Sequence, residues 1–185
     1  SGLKKPVSLC FQVKDGPCCT FHFTQEGCRM TEGDGGCTCK MNFSSPEKFN
    51  ALIDENKPGL PGKNPVQLLP FLLGPFTQLT NRLTELLRPS EEALKDRAFF
   101  EKSTVLTMYT IAGAISALAN TDSISQISAS YTVDGEVSLG IRDVAQVTIS
   151  VRDHHFTTLK APAEHPRAVM EFATIDLAYG LFTGQ

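Results

Sequence analysis

Apolar and polar residues alternate along two long stretches of the chain, and both stretches predict the same order of elements. From Val7 to Asp54, and again from Val137 to Gly184, strand-like alternation is interrupted by turn residues and ends in a short helix. The last parts align without a gap, so that Met41 to Phe43 falls on Met170 to Phe172. A repeat of about 48 residues indicates one supersecondary unit used twice.

Turn and cap residues mark the elements inside each copy. The first copy begins with a strand over 7–13 that runs into Asp15-Gly16, a hairpin signal. Further strands are predicted over 19–23 and 37–43. Ser45-Pro46-Glu47 then begins a helix, because it supplies an N-cap, a proline at the first helical position and an anion near the helix N-terminus. Thr174 and Asp176 have the same roles in the second copy.

The segment between the copies predicts helices of two kinds. A Gly- and Pro-rich loop is followed by an apolar stretch from Leu68 to Phe76, whose prolines, Pro70 and Pro75, prevent a regular helix. Thr77 to Leu87 is amphipathic, with Leu79, Leu83 and Leu86 on one stripe.

A boundary is predicted at Pro89-Ser90, which divides the chain into domains 1–89 and 90–185. The second domain opens with a long helix over 91–119, whose later part is rich in small residues, and with a strand from Ile127 to Val133. We expect this helix and the helix over 77–87 to share the covering of both sheets. The predicted fold class is α+β, with two related antiparallel-sheet units that each carry helices on one face.

Composition excludes several kinds of partner. With 185 residues, 41% of them hydrophobic, and a net charge of −3, the chain has material for a sizeable core but no basic stripe for nucleic acid. The longest nearly uncharged stretch, from Thr104 to Ala119, is too short and too rich in Thr and Ser to span a bilayer. We therefore expect a cytoplasmic protein without a membrane span.

All six cysteines lie among the first 40 residues, and none forms a Cys-x-x-Cys pair. The predicted strand over 37–43 has an apolar residue at every second position, so one of its faces carries Cys37, Cys39, Met41 and Phe43. The second copy has Val147 and Ala168 near the places of Cys19 and Cys39. Core packing is the preferred interpretation, since free cysteine behaves as a small hydrophobe. Metal or redox use and disulfide formation remain open alternatives.

The chain lacks the usual signatures of catalysis. It contains no Gly-x-Ser-x-Gly elbow, phosphate-binding glycine loop, His-Glu-x-x-His motif or dinucleotide fingerprint. His154 and His155 are adjacent in a predicted turn, point to opposite sides and have no evident nucleophile or orienting carboxylate. The sequence therefore predicts a protein that is not an enzyme, with no metal site and no cofactor.

The chain resembles a tandem copy of the sterol carrier protein type-two family, well in its second half and, without the opening helix, in its first half. The resemblance rests on an Asp-Gly hairpin, a strand ending in Met-x-Phe, a Ser/Thr cap with an acidic residue, and a helix that closes on Leu181-Phe182-Thr183-Gly184. It implies a five-stranded, mainly antiparallel sheet with helices on one face and a hydrophobic tunnel for a lipid or fatty acyl chain. The chain departs from the pattern by stopping at Gln185, where a family member continues, and by its cysteine-rich start.

The sequence and the resemblance together predict non-catalytic binding or transfer of a hydrophobic ligand. The expected ligand is a lipid, fatty acyl chain or sterol-like molecule in an apolar cavity between sheet and helices, and pairing with a second copy is compatible with this design. A cysteine-rich metal-binding or redox module is the alternative. The candidate ligand-binding residues are large apolar side chains of the proline-interrupted segment and the long helix: Leu68, Phe71, Leu72, Phe76, Met108, Ile111 and Ile115.

Overall fold

The computed structural model describes residues 3, 5–55 and 69–184, which form two sheets and associated helices. The strands are β1 (Val7–Val13), β2 (Cys18–Phe23), β3 (Cys28–Glu32), β4 (Cys39–Phe43), β5 (Gly135–Ile141), β6 (Ala145–Arg152), β7 (His155–Leu159) and β8 (Ala168–Phe172). The helices are α1 (Pro46–Glu55), α2 (Thr77–Leu87), α3 (Arg97–Thr121), α4 (Ser123–Ser130) and α5 (Ile175–Thr183), with a π-helical segment at Leu72–Phe76 and a 3₁₀ turn at Ala93–Lys95.

The chain forms two compact units, and each contains one copy of the repeat. The first, unit 1, ends at Asn81, and the second, unit 2, begins at Arg82. The strand orders are β3-β2-β1-β4 and β7-β6-β5-β8. The predicted α+β class with two related sheet units is confirmed. Each sheet is mixed, because the first and last strands of each copy pair in parallel while the other neighbours are antiparallel.

The strand registers confirm the repeat and correct its alignment. Phe11 pairs with Cys19 and Met41, and Leu139 pairs with Val147 and Met170, so these two sets are equivalent. Val7 therefore corresponds to Gly135, two residues before the Val137 with which the pattern aligns it. A shift of two residues leaves every side chain on the same face, so alternation alone does not detect it.

Two parts of the predicted secondary structure are wrong. Each copy has four strands where the pattern predicts three, and β3 is the strand that the pattern of the first copy does not indicate. The strand expected from Ile127 to Val133 is largely the helix α4. Asp122 caps this helix by accepting a hydrogen bond from the Ser125 amide at 2.8 Å, and the cap outweighs the β preference of the isoleucines.

The cover of unit 2 is a regular helix packed closely on its own sheet. Asp96 is the N-cap of α3, and its side chain accepts hydrogen bonds from the amides of Ala98 and Phe99. Along the helix, Met108 and Ala112 are fully buried. The Thr158 hydroxyl of β7 donates to the Ala112 carbonyl at 3.0 Å, an approach that the small side chains of α3 permit. The buried apolar cluster consists of Met108, Ala112, Leu139, Ile141, Val147, Ile149, Ile175 and Ala178.

A second helix completes this cover. α5 is capped by the Thr174 side chain, which accepts from the Leu177 amide, and it ends at Gly184 with a left-handed φ of 73°. Arg97 at the start of α3 donates two hydrogen bonds of 2.7 Å to Asp176 at the start of α5. This bidentate pair joins the two helix N-termini, and it holds the pKa of Asp176 below its usual range.

We expect the buried side of α3 to carry much of the stability of unit 2. Met108→Ala should lower the free energy of unfolding by about 2–5 kcal/mol, because it leaves a cavity in a packed core. Ile115→Ala on the same helix is the matched control, since this side chain is 44% exposed, and it should cost about 0.5 kcal/mol or less. Urea unfolding followed by circular dichroism measures both. Equal losses for the two variants would contradict this packing.

Candidate functional site

The sheet of unit 1 has two chemically different faces. Alternation along β1 and β2 places Leu9, Phe11 and Val13 on one side and Ser8 and Cys10 on the other. We call the first side the aromatic face, because it carries Phe11, Phe21, Phe23 and Phe43. We call the second side the thiol face; its β1 and β2 residues are Ser8, Cys10, Gln12, Cys18, Thr20 and His22.

Seven phenylalanines pack together over the aromatic face. The ring centroids of neighbouring pairs lie between 5.2 Å, for Phe43 and Phe49, and 6.4 Å, for Phe11 and Phe76. The ring centroid of Phe71 lies 5.4 Å from that of Phe23 and 5.9 Å from that of Phe76. Most ring pairs in the layer are tilted or edge-on, and edge-on contacts are favoured between aromatic rings. The layer is therefore continuous from the strands into the segment that covers them. Its members are Phe11, Phe21, Phe23, Phe43, Phe49, Phe71 and Phe76.

The cover of the aromatic face is irregular. Leu72–Phe76 is π-helical and contains Pro75, which lacks an amide hydrogen, so the predicted disruption of this segment is confirmed. The Thr77 hydroxyl satisfies one carbonyl by donating to Leu72 at 2.7 Å. None of the five π-helical residues is fully buried, and Leu73 is 68% exposed. Phe71, which directly precedes this segment and is buried, belongs to the aromatic layer, and Leu72 and Phe76 of the segment pack against the same core.

The predicted ligand-binding residues belong to two different units. Phe71, Leu72 and Phe76 pack on the aromatic face of unit 1, and Leu68 lies outside the described residues. Met108 is in the core of unit 2, while Ile111 is half-buried and Ile115 is exposed on the same helix. Sequence reasoning missed the strand phenylalanines that form the floor of the aromatic face. Their alternation with polar residues in β1 and β2 is the signal that identifies them.

On the thiol face, the β3–β4 connection crosses the sheet. β3 and β4 lie at opposite edges, so residues 33–38 pass over β2 and β1. The Thr20 hydroxyl donates to the Gly33 carbonyl at 2.7 Å, and the Thr38 hydroxyl donates to the Ser8 carbonyl at 2.8 Å. Gly35 has a left-handed φ of 51°, which favours glycine, and an added Cβ would be in ordinary contact with the Thr20 hydroxyl at 3.4 Å. This crossing segment leaves Thr20 and Cys10 with no exposed surface.

Unit 2 repeats the same device. The Thr148 hydroxyl donates to the Ala161 carbonyl at 2.6 Å, and the Arg167 amide donates to the Glu136 carbonyl at 2.7 Å. Thr148 is equivalent to Thr20 by strand register and is likewise buried. A buried β-strand threonine that holds the crossing segment is thus a property of the repeat.

Three thiols meet beneath the first crossing segment. The sulfur of Cys10 lies 3.7 Å from that of Cys18, and the Cys37 thiol, within the crossing segment, donates to the Asp34 carboxylate at 3.8 Å. The prediction that Cys37 shares a strand face with Cys39 is wrong, because β4 begins at Cys39 and Cys37 belongs to the crossing segment. Cys39 is buried in the apolar core, as predicted.

All six thiols are free, and they do not form a metal site by their arrangement. Within residues 5–55 and 69–184, no three His, Cys, Asp or Glu side chains converge as ligands of one ion. Beside the thiols, Lys40 donates to Asp34 at 2.8 Å, and this hydrogen bond lowers the pKa of the carboxyl group. Burial raises the pKa of Cys18 and of Cys37, which favours their protonated forms at neutral pH.

The histidine turn lies at a small concavity of unit 2. Asp153 and His154 adopt left-handed φ values of 50° and 62° between β6 and β7. Together with residues of α3 and α4 they line a hollow of about 290 Å³. Both histidines are exposed, as expected for turn residues, and Asn120 is bonded to the backbone of Phe156. The lining residues are Ala119, Asn120, Gln126, Ala129, Ser130, Asp153, His154 and His155.

Comparison with protein-family models, curated proteins and solved structures finds no match to this chain. The helices of the described ranges include none with both the length and the hydropathy of a bilayer span. The two candidate sites, which are the aromatic face and the thiol face of unit 1, therefore depend on their geometry and not on a known relative.

If Thr20 holds the crossing segment down, its loss should expose the thiols beneath. Thr20→Val keeps the shape of the side chain but removes the bond to Gly33, worth about 1 kcal/mol. We expect faster alkylation of Cys10 by N-ethylmaleimide in the folded protein, measured by peptide mass spectrometry. Thr148→Val, the equivalent change in unit 2, is the control and should leave this rate unchanged. The same Cys10 rate in wild type and Thr20→Val would contradict the role assigned to Thr20.

Proposed function

We propose that unit 1 binds a hydrophobic ligand, such as a lipid, fatty acyl chain or sterol-like molecule, against its aromatic face beneath Leu72–Phe76. The observation that carries this proposal is the pairing of a continuous phenylalanine layer with a short, proline-containing cover. The cover moves outward when a ligand enters. The alkyl chain of the ligand then takes the place of Phe71 and Phe76 against the strand phenylalanines. Binding is non-catalytic and uses no cofactor.

The energy balance of this exchange favours long chains. Removing Phe71 and Phe76 from the layer costs roughly 3–6 kcal/mol if each loses the burial of one phenylalanine side chain. Each ligand methylene buried in their place contributes about 0.8 kcal/mol, so roughly four to eight methylenes are needed to offset this cost before binding becomes favourable. We therefore propose a ligand with a long alkyl chain or an equivalent ring system.

Differences between the two units support placing the ligand in unit 1. The equivalent sheet face of unit 2 is covered by the 25-residue helix α3, whose own residues Met108 and Ala112 are fully buried. Its strand residues are mainly aliphatic, and the helix is anchored to α5 by Arg97 and Asp176. Opening that cover would disrupt a regular helix and a packed core. In unit 1 the face is covered by α1 through Phe49, by the buried Phe71 and by the π-helical residues Leu72–Phe76, none of which is fully buried.

The proposal extends to location and assembly. Six free thiols suit a reducing compartment such as the cytoplasm. A second copy of the chain is the proposed protein partner, because α4 and its C-terminal flank present exposed apolar side chains at Ile124, Ile127 and Tyr131. Nucleic acid is not a proposed partner, given the net charge of −3.

Displacement of a fluorescent long-chain fatty acid tests the ligand site. The wild-type protein should bind the probe at micromolar concentration, and unlabelled fatty acids should compete only when their chains are long. Phe76→Ala should tighten binding about fivefold, since the ligand then no longer displaces a half-buried phenylalanine whose burial contributes about 1 kcal/mol. Phe182→Ala is the control, because this half-buried phenylalanine forms an edge-on pair with Phe172 in unit 2.

Three outcomes would contradict this proposal. They are the absence of probe binding, an equal effect of Phe76→Ala and Phe182→Ala on binding, and equal competition by short and long chains. Circular dichroism of both variants confirms that the fold persists before binding is compared.

A further inference from the structure

We propose that Cys10 and Cys18 form a reversible dithiol–disulfide pair that is oxidised by a small-molecule disulfide. The pair lies on the thiol face, whereas the ligand proposed above binds the aromatic face. Either proposal therefore stands or fails independently of the other.

The position of the two thiols carries the inference. Cys10 is opposite Thr20 and Cys18 is opposite Gln12, so the cysteines are diagonal neighbours on one face of the β1–β2 hairpin. Their sulfur atoms are 3.7 Å apart, and a disulfide bond needs about 2.05 Å. Side-chain rotation and a small movement of the hairpin suffice for this approach.

Diagonal placement also predicts that the bond is easily reduced. Diagonal Cα atoms of an antiparallel pair are typically about 7–8 Å apart, at or beyond the upper end of disulfide geometry. A disulfide formed here strains the hairpin, and strained disulfides are the labile ones. Such a bond suits a reversible response better than a permanent crosslink.

The repeat supplies an internal comparison. On the aromatic face, Cys19 and Cys39 correspond to Val147 and Ala168, so apolar packing accounts for them. On the thiol face, Cys10 and Cys18 correspond to Ser138 and Gln146, whose side chains hydrogen-bond to each other. The repeat thus brings two polar side chains into contact at this place. In unit 1 the equivalent contact joins two thiols, which can be oxidised together to a disulfide.

The exposure of the two thiols sets the order of the reaction. Cys18 is half-buried and Cys10 is fully buried, so the Cys18 thiolate attacks the small disulfide first. One small thiolate leaves, and a mixed disulfide forms at Cys18. Cys10 then attacks the Cys18 sulfur, and the second small thiol leaves. The protein gives up two electrons and two protons, and the small disulfide becomes two thiols.

Charged groups around Cys10 and Cys18 influence the rate at which this pair is oxidised. Lys40 is opposite Cys10 in the parallel β1–β4 register, and its ammonium group donates to Asp34, which also accepts from the Cys37 thiol of the crossing segment. Lys40 favours the thiolate of Cys18, but burial opposes it more strongly. Oxidation should therefore accelerate as the pH rises above neutral.

Thiol mapping of the full chain tests the proposal. The protein is equilibrated with oxidised and reduced glutathione as the probe, quenched with acid and alkylated after denaturation. Wild type should lose two of its six free thiols, gain a Cys10–Cys18 crosslink in peptide mass spectra, and recover both thiols with excess reduced glutathione. Cys18→Ser should abolish this loss. Cys28→Ser is the control, because Cys28 is exposed on β3, and it should leave the loss unchanged.

A second variant copies the polar pair of unit 2 and tests the proposal in a protein that should keep its fold. Cys10→Ser combined with Cys18→Gln reproduces the Ser138 and Gln146 pair, so it should keep the fold by circular dichroism and resist oxidation. The proposal is overturned if wild type keeps all six thiols, if the crosslink joins Cys10 to Cys37, or if either Cys18→Ser or the double variant loses two thiols as wild type does.

Discussion

In each sheet the last strand of the repeat pairs in parallel with the first, and the remaining features of both units follow from this pairing. β4 lies beside β1 at the edge opposite β3, so the chain must cross the sheet to reach it. The crossing occupies one face, where Thr20 and Thr148 hold it by equivalent hydrogen bonds. The opposite face carries the apolar side chains and must be covered by helices, since a large apolar sheet face is not left in water.

The two units meet this requirement differently. In unit 2, a long helix with small residues approaches the strands closely and buries aliphatic side chains. In unit 1, bulky phenylalanines fill the layer, and the cover is a segment that Pro75 prevents from forming a regular helix. The same sheet therefore supports a packed core in one copy and a proposed ligand site in the other.

Local sequence signals predict most of the helices and strands, but they do not predict which strands lie next to each other in a sheet. The Ser45-Pro46 start, the Thr174 cap and the helix Thr77–Leu87 are confirmed, because caps and helical periodicity act within a few residues. Alternation assigns a residue to a face but does not identify the neighbouring strand, so it does not predict the parallel β1–β4 pairing. Cys37 fits the alternation of β4 and yet belongs to the crossing segment. The contact between Cys10 and Cys18 likewise depends on a register that no local pattern contains.

Hydrogen exchange, measured by mass spectrometry with and without a long-chain fatty acid, tests most directly whether the two covers differ in this way. Without ligand, amides of Leu72–Phe76 should exchange much faster than those in the middle of α3. The fatty acid should slow exchange in Leu72–Phe76 and in β1 and β2, and it should leave α3, β5 and β6 unchanged. Equal protection of both covers, or ligand-induced protection confined to unit 2, would contradict the proposed difference between the units.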